Sequence, residues 1–380
     1  MHFVVDRRIF VENVQHVNKS ISSRTTIPIL TGMKIDVSSA GITLTGSDSD
    51  ISIETFIPKE DDENEYIDIF QEGRIVLQAR FFVDIVRKLP GDKIEIFVQE
   101  QFATTIRSGS AVFHLNGLDP EEYPVLPKLS EEQMFQLPQN ILKNMIHQTV
   151  FAVSTQETRP VLTGVNFEAE DGVLTCTATD SHRLAMRKVP FETTSDDLIF
   201  SNIVVPGKSL NELNKILTDT DDPVDVVITD TQVLFKLKNL LFYSRLLDGN
   251  YPVTKTMIPE QSKTDLELPR KELLATLERA FLLSKEIKNH VVHLRILENN
   301  EIEIMSVSSE IGKVKEKVTC EKVKGEEIRI SFNGKNLIDA LKVIDSDHVY
   351  IRFTGAMSPF TLQPTDTDQM LHLFSPVRTY

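Results

Sequence analysis

Cysteine is nearly missing from the sequence: Cys176 and Cys320 are the only two among 380 residues, each in a strand-like stretch. Two thiols neither frame a disulfide scaffold nor complete a four-cysteine zinc site. Long hydrophobic runs are missing too, and with no stretch of 18 apolar residues no membrane-spanning helix is expected. The opening MHFVVDRRIF sets acid and base within eight residues and lacks a small-residue cleavage site, so it does not read as a secretory leader. Positive charge is in deficit, with 41 Lys and Arg against 56 Asp and Glu and a net charge of −15. That balance argues against a protein coated in base to grip nucleic acid, unless the basic residues are segregated on one surface. The phosphate-cradling G-x-x-x-x-G-K-[ST], the dinucleotide G-x-G-x-x-G, H-E-x-x-H and G-x-S-x-G are all absent. What remains is a cytoplasmic globular protein; at about 100–200 residues per domain, its length suggests two to four domains.

What is present is repetition. Residues 22–32 read SSRTTIPILTG and residues 154–164 read STQETRPVLTG. A shift of 132 carries Ser22, Pro28, Leu30, Thr31 and Gly32 onto Ser154, Pro160, Leu162, Thr163 and Gly164. The same shift carries Thr45, Asp48 and Ser49 onto Thr177, Asp180 and Ser181, with nothing inserted between. A second motif recurs three times, as VLQARFFVDIVRKL (76–89), VVPGKSLNELNKIL (204–217) and SFNGKNLIDALKVI (331–344). Its apolar residues fall at 82, 85, 86 and 89, at 210, 213, 216 and 217, and at 337, 338, 341 and 344, which is helical spacing. Asp119-Pro-Glu-Glu-Tyr123-Pro124 and Asp248-Gly-Asn-Tyr251-Pro252 close the first two copies, and Pro269-Arg-Lys-Glu opens a helix of the third as Pro138-Gln-Asn does of the second. Three domains are expected, near 1–128, 129–255 and 256–380. Each would hold two helices among short alternating strands such as Ile42-Thr-Leu-Thr and Ile302-Glu-Ile-Met, in the order strand, helix, three strands, twice over. Such alternation suits antiparallel sheets with one wet face, an α+β class.

Charge is sorted by element. Helices expected over 6–22, 78–89, 138–154, 206–218, 269–286 and 334–344 sum to +7, leaving −22 for the remainder. In the second helix of each copy, Arg80-Asp84-Arg87, Lys208-Glu212-Lys215 and Lys335-Asp339-Lys342 repeat base, acid and base at positions 0, +4 and +7 on one face. A solvated surface would also carry such pairs. Three copies in an otherwise acidic chain suit a surface that meets phosphates without reading bases.

Apparent catalytic motifs dissolve on inspection. Asp48-Ser-Asp50 resembles an acidic metal pair, yet its counterpart is Asp180-Ser-His182. A ligand set that changes between copies reads as turn chemistry, since Asp and Ser bond their own backbone. Adjacent residues such as Asp180-Ser181-His182 cannot fold back into a triad. No catalytic residue, metal or cofactor is expected; a hydrolase using Asp48 or His182 has no assembled nucleophile and base behind it.

TTIPILTG, TGSDSDISIE, RPVLTG, CTATDSHRLA, the VVPGKSL helix, LLDGNYP and the ending SPVRTY together resemble the bacterial sliding clamp family, the beta subunit of DNA polymerase III, of Gram-positive type, from end to end. The resemblance implies three clamp domains forming half of a closed ring, a head-to-tail homodimer around double-stranded DNA, joined between the first domain of one chain and the third of its partner. Twelve helices about 10 Å apart span roughly 120 Å and leave an opening of about 28 Å, wide enough for a duplex. It implies a processivity factor that tethers the DNA polymerase III alpha-type subunit, is opened by a clamp loader, and serves repair polymerases, ligase and mismatch-repair proteins. DNA-facing positions fall on Arg24, Gln156 and Arg159, beside the helix bases Arg80, Lys208 and Lys335. The partner-peptide pocket falls on Leu162, Thr179, His182, Arg183, Leu184, Pro252, Thr256, Met257, Met357, Pro359, Phe360, Ser375, Pro376, Val377 and Arg378. Where some members have adjacent tyrosines this chain has Pro160 and Val161, and where some have a rim arginine it has Thr256. The alternative is a repeat-built interaction scaffold that never encircles DNA.

Overall fold

Asp6 ends the first strand and starts the first helix, its carboxylate accepting from the Ile9 N–H at 3.1 Å, the Ncap interaction that satisfies an otherwise orphaned donor. The helix then buries Phe10, Val14 and Val17, one apolar stripe at helical spacing. The computed structural model describes residues 1–62, 64–126, 134–193, 198–285, 288–308 and 310–378. The expected boundary at 128/129, Glu286 at the end of the fifth expected helix, and the terminal Thr379 and Tyr380 lie outside the described residues.

The elements recur in one order three times: strand, helix, three strands, an added strand, then strand, helix and three strands. The helices are α1 (Arg7–Asn18), α2 (Ala79–Lys88), α3 (Gln139–His147), α4 (Gly207–Asn214), α5 (Arg270–Ser284) and α6 (Gly334–Lys342). Most are shorter than the apolar spacing predicts, and after two of them a small hydroxyl bonds back to a helix carbonyl. Ser20 Oγ donates to the Val17 carbonyl at 2.8 Å after α1, and Thr149 Oγ1 to that of Met145 at 2.7 Å after α3. The added strands, Ile67–Gln71, Glu192–Thr193 and Lys322–Gly325, pair at sheet edges and carry little periodicity of their own.

The chain divides into two compact units. The first comprises Met1–Asn140, Glu192–Thr194 and Glu212–Leu246. It holds a five-stranded antiparallel sheet ending in the edge strand Ala111–Asn116, and a nine-stranded sheet. In the latter, Ile51–Pro58 of the first copy pairs with Leu240–Arg245 of the second, so the sheet runs on across the copies. Helices α1 and α2 pack on each other and on this sheet. Phe3, Phe10 and Phe82 stack edge to face.

 The ring centroids lie 6.2 Å apart for Phe3–Phe10 and 6.1 Å for Phe10–Phe82, and each fully buried ring contributes about 2–3 kcal/mol to the core.

The second unit comprises Ile141–Phe191, Ser195–Asn211 and Leu247–Tyr380. Its nine-stranded sheet joins Arg183–Pro190 of the second copy to Met370–Phe374 of the third, with Leu184 opposite Leu373 and Arg183 opposite Phe374. A four-stranded sheet ends in the edge strand Gly312–Thr319. Helices α5 and α6 pack together over a core that includes Leu273, Leu277, Leu337, Leu341, Phe332, Phe353 and Phe360. The glycine of each TG pair has a steric reason: a Cβ would sit 2.4 Å from a Val76 methyl at Gly32 and 2.7 Å from a Val204 methyl at Gly164. Among the described residues no helix is long and apolar enough to cross a membrane.

Candidate functional site

The site grows from the turn after the strand Val173–Thr179. Asp180 Oδ1 accepts from the backbone N–H groups of His182 (2.9 Å) and Arg183 (3.0 Å). That is an Asx turn, and beside it Ser181, at φ 78°, donates its N–H to Thr179 Oγ1 at 3.2 Å, the hydroxyl counterpart of the same turn. Thr179 Oγ1 in turn donates to the Arg183 carbonyl at 2.6 Å. From the facing segment, Tyr251 Oη accepts the Thr179 N–H at 2.9 Å. Tyr251 is itself held by its N–H donating to Asn202 Oδ1 at 2.7 Å. Burial pushes the Tyr251 hydroxyl well above its ordinary pKa, so it stays protonated.

The turn aims its side chains to two sides. Arg183 goes inward: its guanidinium donates to Asp180 (3.0 Å), to Asp339 on α6 (3.0 Å) and to the Phe151 carbonyl (2.6 Å). It also lies 5.4 Å from the centroid of the Phe151 ring. Beside it His372 is fully buried, and desolvation, reinforced by the Arg183 charge, lowers its pKa to about 3. Leu184 goes the other way, into an apolar cluster with Met186 and Leu373.

Over that cluster opens a cavity of about 690 Å³. Leu162, Thr179, His182, Arg183, Leu184, Pro252, Met257, Pro359 and Ser375, all expected in the pocket, line it. Val161, Ser181, Asn250 and Leu373 also line it, as does Arg159, which the resemblance put on DNA. The floor is apolar, while His182, Asn250 and Ser375 bring polar groups to the lining; Ser375 is tied in by its N–H to the His182 carbonyl at 2.9 Å.

The other expected pocket residues are not among those that line this cavity. Thr256 is exposed and donates to the Val253 carbonyl at 3.2 Å. Phe360 is fully buried among Phe332, Phe353 and Phe374. Met357, 60% exposed, and Val377 line a separate groove of about 460 Å³ with His293, Arg295, Met305 and Lys315. The Val377 N–H donates to the Ser331 carbonyl at 2.7 Å, which fixes the C-terminal segment against the strand Arg329–Asn333. Pro376 is half-buried and Arg378 exposed.

Among the expected DNA-facing residues, Arg24 and Gln156 occupy equivalent turns. Each donates its N–H to a serine two residues earlier, at 3.1 Å to Ser22 and 3.0 Å to Ser154. Both side chains are exposed, as are Arg80, Lys208 and Lys335. The base-acid-base faces pair differently in the three copies. Asp84 meets Arg87 (3.6 Å) and Glu212 meets Lys215 (2.7 Å), whereas Asp339 takes Lys335, one turn earlier, and leaves Lys342 to Glu278 on α5 (2.8 Å).

A hydrogen-bonded turn at the edge of an apolar cavity, over a sheet that runs on across two copies, makes a site suited to binding. Family models for the N-terminal, central and C-terminal domains of the DNA polymerase III beta subunit match residues 1–127, 136–253 and 255–378. The chain is 66% identical to a beta sliding clamp of Halalkalibacterium halodurans, over the whole of both chains. A solved sliding clamp of Bacillus subtilis superposes over 100% of both chains with a TM-score of 0.97 at 54% identity. A Pseudomonas aeruginosa clamp solved bound to griselimycin superposes over the same extent with a TM-score of 0.92 at 28% identity. The chain belongs to the DNA polymerase III beta subunit family, the sliding clamps. Its function is that of a processivity factor in DNA replication, and the reading as a free-standing scaffold has no support.

Proposed function

We propose that the chain acts as a ring-shaped head-to-tail homodimer around duplex DNA, without catalysing a reaction, and that the 690 Å³ cavity holds short peptide segments of its partners. The single observation that carries this reading is the apolar cavity built around Leu162, Leu184, Met257 and Leu373. A Met-bearing apolar cleft with polar groups at its edge accepts leucine and phenylalanine anchors from varied sequences. This cavity serves the polymerase alpha-type subunit, the clamp loader, and repair and ligation proteins in turn. Val112 and Phe113 on the edge strand Ala111–Asn116, 50% and 39% exposed, and Ile311 before the edge strand Gly312–Thr319, 55% exposed, are surfaces that strand pairing in a dimer would cover. The exposed Arg24, Arg80, Gln156, Lys208 and Lys335 offer phosphate contacts loose enough to slide. Arg159, exposed and at the cavity, serves either role.

The test is retention on nicked circular DNA after loading, at high salt, before and after the circle is linearised. Retention on the circle with escape from free ends is expected. Equal loss from both forms contradicts encirclement, because a ring holds by topology and an electrostatic contact does not.

A further inference from the structure

The carboxylate of Asp339 stands between the two surfaces to which function has been assigned. One oxygen, Oδ2, accepts from the Arg183 guanidinium at 3.0 Å; the other, Oδ1, is taken by the Lys335 ammonium. Arg183 belongs to the turn that forms the cavity wall, and Lys335 is the helix base expected to meet phosphate. The three side chains differ in freedom: Arg183 is 12% exposed and Asp339 18%, but Lys335 is 49% exposed. Arg183 has three further restraints, from Asp180, the Phe151 carbonyl and the Phe151 ring, and cannot leave. Lys335 has solvent on one side and can. In the first two copies Asp84 meets Arg87 and Glu212 meets Lys215 along their own helices.

We infer that Asp339 is a positioning residue that couples DNA occupancy to the affinity of the peptide cavity. When a phosphate draws Lys335 away, the full charge of Asp339 falls on Arg183. The pair tightens, because the same carboxylate no longer divides its field between two cations at this partly buried site. Arg183 then holds its turn, and with it His182 and Leu184, in the binding geometry at lower ordering cost for the incoming peptide. Linkage requires the reverse as well: a bound peptide makes Lys335 easier to release to phosphate.

This inference rests on the proposed cavity and DNA-facing surface, and its test separates the coupling from the cavity. A fluorescent peptide with leucine and phenylalanine anchors is titrated by anisotropy against the full-length protein, free in solution and loaded on nicked circular duplex. The wild type is expected to bind two- to fivefold more tightly when loaded. Lys335→Met is expected to bind tightly in both states. Asp339→Asn is expected to bind more weakly, with no difference between states, and its melting curve shows that it is folded. Peptide binding that is intact but indifferent to DNA in the wild type overturns the coupling alone. A purely structural role for Asp339 also overturns it, and shows as weakened binding whose response to DNA persists. No peptide binding in any state overturns the cavity reading and the coupling with it.

Discussion

The turn at residues 47–52 and the turn at residues 179–184 are the same piece of backbone used twice. Asp48 Oδ1 accepts from the N–H groups of Asp50 (3.1 Å) and Ile51 (2.9 Å), as Asp180 does from His182 and Arg183. Ser49 takes φ 82° where Ser181 takes 78°. Behind them, Leu30, Val76 and Tyr123 form one small cluster, and Leu162, Val204 and Tyr251 its counterpart. The side chains then part company. Ile51, 1% exposed, fills core where Arg183 reaches across to Asp339. Ser52 bonds Ser47 at 2.8 Å and lies opposite Tyr243, where Leu184 lies opposite Leu373. A duplicated backbone thus carries a Ser47–Ser52 pair at one corner and the apolar wall of a cavity, with Leu184 and Leu373, at the other.

The comparison can be broken from either end. The largest effect is expected from Ile51→Arg, which forces a cation into the first corner without a carboxylate built to meet it. A loss on the order of 4 kcal/mol is expected, read as a collapse of soluble yield or a large fall in melting temperature. Arg183→Ala strips the second corner instead. It leaves Asp180 and Asp339 short of their shared partner at a cost on the order of 3 kcal/mol, and peptide binding should fall at least tenfold by anisotropy.

A smaller effect separates the corners by pH. Burial and then the Arg183 charge lower the pKa of His372 from 6.5 to about 3. The unfolded chain therefore binds this proton more readily than the folded one. The stability tied to neutral His372 is full above pH 6.5 and is lost as the pH falls towards 3, with about 2 kcal/mol gone by pH 5. Melting curves at pH 7 and pH 5 should show a smaller drop for His372→Leu than for the wild type. The smallest effect is expected from Tyr251→Phe, which leaves the Thr179 N–H without its acceptor and costs about 1 kcal/mol, visible as a shift of a few degrees or less in melting temperature.

Much of this was legible in the sequence, for local reasons. The shift of 132 that aligns Asp48 with Asp180 works because an Asx turn is written in consecutive residues. Apolar residues at 337, 338, 341 and 344 are all buried, because helical spacing also needs no distant information. What failed to show was long-range. Arg183 and Asp339 are 156 positions apart and nothing in either segment announces the pair. Leu373 joins the cavity only because Met370–Phe374 pairs with Arg183–Pro190; its alternation with Leu371 signals a strand but not its neighbour. The base-acid-base pattern predicts one face in three copies, yet burial beside Arg183 turns Asp339 to Lys335 and not to Lys342. The cavity residues themselves came from the resemblance, because periodicity cannot tell an apolar wall from a core.

The most direct measurement compares one peptide titration on three proteins: the wild type, Leu184→Ala in the second corner, and Ser52→Ala at the matching place in the first. With melting curves confirming that each is folded, Leu184→Ala should weaken a leucine- and phenylalanine-anchored peptide at least tenfold while Ser52→Ala binds as the wild type does. Equal affinity for all three would contradict the claim that the second corner, and not the shared fold, is where partners bind.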